Sequence, residues 1–280
     1  MLKQCESLFL FASPTLSRVL LIAATVGLSS TAYSAEYLSG IEWQEPTVVK
    51  PGETNSDPPS DAIVLFDGSN LDKWHNGENW IIKEGVAITG KGQIKTKQDF
   101  GDCQIHVEWS APTPATGEGQ GRGNNGVLIM DRYEVQILDS YQNKTYFDGQ
   151  AGAIYKQNPP AVNAMRPPGE WNVYDIFFTA PRFDDDGKLQ SPAIITVMHN
   201  GVLIQHHFEL AGNTFYHAPP SYSAHGKAPL TLFEHGNAVR FRNIWIRDFE
   251  PAKGEQRREP AIREGDKLTP IKTNDEPLTK

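Results

Sequence analysis

Residues 132–139 read Arg132-Tyr133-Glu134-Val135-Gln136-Ile137-Leu138-Asp139. Successive side chains of a β-strand point to opposite faces, so this stretch predicts a strand whose apolar positions face a core. The other face then carries a cation, a carboxylate and an amide, at Arg132, Glu134 and Gln136. These groups can bind a hydroxyl-rich ligand and move a proton. A solvated outer face is the alternative interpretation of the same pattern.

The rest of the chain also favours strands. Short apolar runs are separated by glycine and proline, of which there are 24 and 20, and no amphipathic helical pattern of useful length occurs. Asn200-Gly201 lies between two such runs and is a strong signal for a tight hairpin. The spacing of apolar residues in the last run predicts a β-bulge near Arg242-Asn243. The chain is therefore predicted to form an all-β sandwich.

Both ends differ from this pattern. Lys3 and Arg18 precede an apolar run, and small residues follow up to Ala35, which predicts a signal peptide over residues 1–35 with cleavage near Ser34 or Ala35. A periplasmic or secreted protein without a membrane span is expected. Residues 36–61 are predicted to be a linker or surface strap, residues 62–250 the domain, and residues 251–280 a charged tail.

Composition excludes some classes of function. The net charge of −8 disfavours nucleic acid as a partner. Signal cleavage would leave Cys103 as the sole thiol, so no intramolecular disulfide is expected. The histidines lack metal-ligand spacing, and residues 184–187 (Asp-Asp-Asp-Gly) are predicted to form a turn rather than a calcium site. The glycine-rich residues 117–126 lack the ending of a phosphate-binding loop. No metal or cofactor is predicted.

Two further positions are candidates for a site. His235 follows a predicted strand end, where a turn could present its imidazole to a cleft, although a structural histidine bonded to backbone fits equally. Trp171 begins a strand after a rigid Pro-Pro-Gly segment, and its indole could stack on a sugar or cap the core.

Ordered motifs along residues 62–249 resemble the 3-keto-disaccharide hydrolase family. They are Leu65-Phe66-Asp67-Gly68 with Trp74, Gly101-Asp102 before Ile105, Asn124-Asn125-Gly126-Val127, Tyr133 to Asp139, Gly152-Ala153-Ile154-Tyr155, Gly169-Glu170-Trp171-Asn172, His199-Asn200-Gly201 and Phe241-Arg242-Asn243-Ile244. The sequence departs from the family pattern at Phe233 and Glu234, where an amide and a shorter carboxylate are expected before His235.

The resemblance implies a concanavalin A-like jelly roll that acts on glycosides already oxidised to the ketone at C3. The expected reaction is elimination across C1 and C2 followed by hydration, without a redox cofactor, after an upstream sugar 3-dehydrogenase. Glu134 and His235 are the candidates for base and acid, with Asp139 as a further catalytic candidate. The expected substrate-binding residues are Arg132, Gln136, Tyr155, Trp171 and Asn172.

Two other functions remain open from the sequence. A retaining glycosidase would use Glu134, Gln136 and Asp139 on a bulged strand, with its two carboxyl groups about 5–5.5 Å apart. A lectin would bind glycans through Trp171, Tyr155 and Arg132 without catalysis.

Overall fold

The computed structural model describes residues 34–271. Cys5 and nearly all of the predicted signal peptide lie outside the described residues. Between Ser34 and Ile271, no helix is long and apolar enough to cross a membrane. The described residues divide into a large compact unit, Gln44–Lys253, and a small one formed by residues 34–43 and 254–271.

The described residues form short strands joined by turns and three short 3₁₀ helices, Gly77–Asn79, Gly119–Gly121 and Phe147–Gly149. The strands are β1 (Glu36–Leu38), β2 (Ile41–Trp43), β3 (Ile63–Phe66), β4 (Trp74–His75), β5 (Ile81–Lys83), β6 (Val86–Ile88), β7 (Ile94–Phe100), β8 (Cys103–Ser110), β9 (Asn125–Ile129), β10 (Tyr133–Ile137), β11 (Asn172–Thr179), β12 (Arg182–Phe183), β13 (Leu189–Ser191), β14 (Ile194–His199), β15 (Val202–Glu209), β16 (Ala228–Glu234), β17 (Arg240–Asp248), β18 (Gly254–Gln256), β19 (Ala261–Glu264) and β20 (Lys267–Pro270).

Two main antiparallel sheets build the large unit, which also contains the two-stranded sheet β12-β13. One has the strand order β10-β9-β16-β7-β4, and the other has the order β15-β14-β11-β8-β17-β6-β5 with β3 also paired to β17. Apolar side chains from both sheets form one hydrophobic core, in which the rings of Tyr133 and Phe178 lie 5.5 Å apart. The predicted all-β sandwich is confirmed.

The structure confirms the predicted hairpin turn and the predicted β-bulge. Asn200 and Gly201 both have positive φ and join β14 to β15, as a type I′ hairpin requires. In β17 the register shifts between Arg242 and Ile244, and Asn243 has a φ of 43°. The extra residue is the predicted bulge.

A tight turn joins β9 to β10. Met130 and Asp131 have φ values of 54° and 57°, and the Arg132 backbone N–H donates to Ile129 at 3.1 Å. The Asp131 carboxylate stabilises this turn by binding Lys95 and the Thr231 hydroxyl. A tight turn without glycine gives little sequence signal, because its positive φ values depend on these tertiary contacts.

The segment before the first strand of the sandwich contacts β17 of the same unit. The Ser56 carbonyl oxygen accepts hydrogen bonds from Asn243 and from the Trp245 indole. Within the large unit, residues 44–62 form no strand.

The small unit contains strands where the sequence predicted only a linker and a tail. β1 pairs with β19, which pairs with β20, and β2 pairs with β18. These strands are three or four residues long, too short for an alternation pattern to be read, and four of the five pair across more than 200 positions of sequence.

Candidate active site

A cleft of about 660 Å³ opens on the outer face of the five-stranded sheet. Polar and aromatic side chains and one leucine line it: Gln120, Asn124, Leu128, Glu134, Gln136, Tyr146, Tyr155, Thr214, Tyr216, Phe233 and His235. A smaller cleft of about 440 Å³ lies elsewhere on the large unit, but its charges are paired with each other, as in Arg182–Asp102 and Lys227–Asp248. The larger cleft is therefore the candidate active site.

Strand alternation determines which side chains of β10 form the floor of the cleft. Val135 of β10 belongs to the core, whereas Glu134 and Gln136 on the same strand line the cleft. Gly126 of β9 lies beside Gln136 in the sheet, and a Cβ at this glycine would collide with the Glu134 carboxyl oxygen Oε1. The glycine thus leaves the space in which the Glu134 carboxyl group lies.

Glu134 is the one carboxyl group among the described residues that line this cleft. Glu134 is only 7% exposed. This burial raises the pKa of its carboxyl group to about 8, because an ionised carboxylate loses hydration there. Near neutral pH the group can therefore exist in both protonation states, as proton transfer requires.

Amide side chains continue the floor beyond Glu134. The Gln136 side-chain nitrogen donates to Gln120 Oε1 and Asn124 Oδ1, each at 3.2 Å. Gln120 and Asn124 come from the glycine-rich loop of residues 117–126, which contains the second 3₁₀ helix. This loop is a wall of the site, a role that its sequence did not indicate.

Three tyrosines form an aromatic wall beside β10. Tyr155 follows Ile154, which bridges to Val135, and its hydroxyl lies 2.7 Å from that of Tyr146. The rings of Tyr155 and Tyr216 stack at 6.4 Å. The Lys156 ammonium lies 3.9 Å from the centre of the Tyr146 ring. Flat ring surfaces of this kind can pack against the apolar faces of sugars.

His235 and Phe233 line the cleft on the far side of β9, because β16 pairs with β9 opposite β10. Their rings meet edge to face at 4.6 Å. His235 is at the exposed rim, and desolvation by its surroundings lowers its pKa below 6.5, against the opposing effect of Glu234. Glu234 itself contacts the turn backbone, at the N–H groups of Gly92 and Gly236.

The structure brings together Glu134, Gln136, Tyr155 and His235 of the predicted site residues. Arg132 and Asp139 lie outside the cleft lining. Arg132 ends the β9–β10 turn, and its guanidinium donates to the Met130 carbonyl at 3.1 Å. Asp139 is 1% exposed and accepts from Arg122 at 2.6 Å and from the Tyr141 N–H at 3.1 Å. These contacts occupy both oxygens of Asp139 with structural partners.

Trp171 and Asn172 also lie outside this lining. The Arg242 guanidinium stacks 4.2 Å from the centre of the Trp171 ring. Asn172 is fully buried, and its Oδ1 accepts from the Arg166 N–H and the Asn200 amide. Their positions indicate packing at the start of β11.

Sequence reasoning missed Gln120, Asn124, Tyr146, Thr214, Tyr216 and Phe233 as parts of one cleft. Phe233 was noted only as a departure from the family pattern. Tyr146, Thr214 and Tyr216 lie outside the strands, where no periodicity indicates a direction.

In the part of the chain that the structure describes, no group of three or more His, Cys, Asp or Glu side chains is arranged to hold a metal ion. Residues 184–187 form a turn, in which the Gly187 N–H donates to the Asp184 carbonyl at 2.9 Å.

Comparison with known proteins identifies relatives of this chain. Residues 61–247 match the family model described as the 3-keto-alpha-glucoside-1,2-lyase-like domain. A candidate glycosyl hydrolase from Parabacteroides distasonis ATCC 8503 is similar in structure, with 46% identity and a TM-score of 0.71 over 74% of this chain and 93% of that one. No curated protein matches the chain significantly.

Two further structures from the same organism, also candidate glycosyl hydrolases, share the fold. One has 21% identity and a TM-score of 0.50, over 68% of this chain and 94% of that one. The other has 23% identity and a TM-score of 0.50, over 67% and 99%.

Proposed function

Since the chain belongs to the 3-keto-alpha-glucoside-1,2-lyase-like family, we propose that it is a carbohydrate-acting enzyme that cleaves 3-keto-glycosides. The observation that carries the proposal is the cleft itself. Glu134 and His235 lie in one cleft with an aromatic wall, and the pKa of the carboxyl group is raised while that of the imidazole is lowered. Opposed shifts of this kind fit a general acid and a general base.

The charge of the lining fits a neutral sugar. No lysine or arginine is present among the described lining residues, and Glu134 is the single acidic group. Hydroxyl and amide groups and the His235 imidazole provide the remaining polarity. A phosphorylated or carboxylated sugar would find no cationic partner in this lining, whereas the hydroxyl groups of a neutral glycoside would find hydrogen-bond partners.

The elimination needs two proton transfers, and the hydration that follows it needs two more. A base takes the proton from C2, which the C3 ketone acidifies, and the electron pair forms an enolate. The enolate collapses to a C1=C2 bond, the C1–O bond breaks, and an acid protonates the departing oxygen. Water then adds across C1=C2, with its hydroxyl at C1 and a proton at C2. The hydroxyls of Tyr146, Tyr155 and Thr214 can stabilise the enolate oxygen by donating hydrogen bonds.

The direct test is incubation of the purified protein with a 3-keto-glucoside, followed by measurement of aglycone release and of the ultraviolet absorbance of the unsaturated ketone. Release from the 3-keto-glucoside, but not from the unoxidised glucoside with the same aglycone, is expected. Absence of turnover with every 3-keto-glycoside tested would contradict the proposal. Cleavage of the unoxidised glucoside would instead support a conventional glycosidase.

The Glu134→Gln variant separates an enzyme from a lectin. Gln keeps the size of the side chain but cannot donate or accept the reacting proton. We expect turnover to be abolished while affinity for a 3-keto-glucoside changes by less than about tenfold, as measured by calorimetry. Glycan binding by both proteins with no turnover by either would favour a lectin.

Export and an upstream oxidation step complete the proposal. The composition of residues 1–35 supports a signal peptide, and a sugar 3-dehydrogenase would supply the ketone that the elimination requires. N-terminal sequencing of the exported protein tests the first point, because cleavage near Ser34 or Ala35 is expected. Detection of an intact Met1 in exported material would contradict it.

A further inference from the structure

The hydrogen-bond directions around Gln136 determine which end of its amide faces Glu134. The side-chain amide nitrogen of Gln120 donates to the backbone carbonyl of Gly149 at 2.8 Å. The side-chain amide nitrogen of Asn124 donates to the backbone carbonyl of Gln120 at 2.8 Å. A backbone carbonyl only accepts, so both side-chain amides have a fixed orientation. Their oxygen atoms therefore point at Gln136.

Two acceptor oxygens require a donor, so the Gln136 amide nitrogen faces Gln120 and Asn124. The Gln136 oxygen then lies 3.0 Å from Glu134 Oε1 and 3.0 Å from the Asn125 carbonyl. Two acceptors at this distance repel each other unless one carries a proton. A proton on Glu134 converts the contact into a hydrogen bond from the carboxylic acid to the Gln136 oxygen.

The opposite orientation of Gln136 would let its nitrogen donate to Glu134 and to Asn125. It would also turn the Gln136 oxygen toward the oxygens of Gln120 and Asn124, which leaves two acceptor–acceptor contacts. Rotating Gln120 and Asn124 as well only moves these conflicts to the carbonyls of Gly149 and Gln120. The orientation with a protonated Glu134 leaves one such contact, at Asn125, and is therefore favoured.

We infer that Gln136 is a positioning residue that, held by Gln120 and Asn124, keeps Glu134 as a neutral carboxylic acid in the resting protein. The neighbouring titratable groups agree with this state. Tyr146, Tyr155, Tyr216 and His235 line the same cleft, where burial raises the pKa of Tyr155 and lowers the pKa of His235, and Lys156 lies against the Tyr146 ring. Burial raises the pKa of the Glu134 carboxyl group, in the same direction as the hydrogen bond.

A neutral Glu134 has a defined part in catalysis, and this step rests on the proposed function. The carboxylic acid donates its proton to the departing glycosidic oxygen, and the resulting carboxylate is reprotonated during hydration. His235, whose pKa is lowered, is the neutral base that accepts the C2 proton.

The test reads the protonation state without substrate, because pH–rate profiles do not distinguish an acid–base pair from its reversed form. Infrared spectra of the full protein carrying ¹³C-carboxyl glutamate are recorded from pH 4 to 10, and the Glu134→Gln variant assigns the band. A protonated Glu134 carbonyl band at pH 7 is expected. An ionised Glu134 at pH 7 would overturn the inference.

The Asn124→Leu variant tests the amide chain. Loss of the Asn124 acceptor allows the Gln136 amide to turn its nitrogen toward Glu134, which favours the carboxylate and should lower the pKa of Glu134 by about one unit. Gln120→Met is the second variant, in case the first does not fold. Asn143→Leu is the matched control, because Asn143 binds the same loop at Gly119 and should leave the pKa unchanged.

An unchanged pKa in both folded variants would show that Gln136 already donates to Glu134, and would overturn the inference. Failure of the proposed function is a separate result. A protonated Glu134 together with no turnover of 3-keto-glycosides would leave the hydrogen-bond arrangement intact and refute the reaction.

Discussion

Gly126 and Glu134 share one small volume at the floor of the cleft, where the glycine hydrogen occupies the position that a Cβ would take against the Glu134 carboxyl oxygen. The two residues lie on adjacent antiparallel strands, in which Glu134 pairs with Leu128 and Gln136 pairs with Gly126. The Glu134 carboxyl group can thus point toward β9 because Gly126 has no side chain there.

Gly126→Ala should displace this carboxyl group. We expect kcat on a 3-keto-glucoside to fall by about 10²-fold, because small displacements of a reacting group are costly, and the free energy of unfolding to fall by about 1–3 kcal/mol from overpacking. Gly121→Ala is the matched control, since nothing lies within 4 Å of a Cβ at Gly121. Equal kcat values in the two variants would refute the steric argument.

The activity should have a bell-shaped pH dependence. kcat/KM should rise as His235 becomes neutral, through a pKa below 6.5, and fall as Glu134 loses its proton, through a pKa of about 8. Steady-state assays in overlapping buffers from pH 4 to 10 measure both limbs. Activity that continues to rise above pH 9 would be inconsistent with Glu134 as the acid.

Stability should depend on pH through the same group. The folded pKa of Glu134, about 8, is above the ordinary glutamate pKa of 4.5, so between these pH values the folded state binds the proton that the unfolded state has lost. The contribution of this group to stability is therefore complete below pH 4.5 and is lost as the pH rises through about 8. The melting temperature of Glu134→Gln minus that of the wild type should increase from pH 5 to 9. A difference that stays constant would contradict the raised pKa.

His235→Ala should affect catalysis more than folding. Loss of a positioned proton-transfer group lowers kcat by about 10²–10⁴-fold, and the exposed position of His235 at the cleft rim predicts a nearly unchanged melting temperature. Both quantities are measured on one preparation. Normal kcat with a lower melting temperature would make His235 structural.

Strand alternation was enough to predict that Glu134 and Gln136 share a face, because the pleat of a strand is local. Asn200-Gly201 was also readable, since its backbone conformation is intrinsic to those residues. The aromatic wall was not readable, because Tyr216 reaches the cleft from a loop about 80 positions after Gln136. The position of Asp139 outside the cleft lining was not readable for a related reason, because its Arg122 partner comes from the glycine-rich loop and no local pattern reveals that pairing.

Asp139→Asn separates the elimination reaction from a retaining glycosidase. A retaining mechanism would need Asp139 as its second carboxyl group and would lose nearly all activity. The buried ion pair with Arg122 instead predicts a structural effect, because removing one partner leaves the other charge uncompensated. We expect unfolding to become easier by about 3–5 kcal/mol, while kcat of the folded fraction changes less than about threefold. Arg122→Met should reproduce the loss of stability, and a large loss of kcat in Asp139→Asn alone would return Asp139 to the catalytic site.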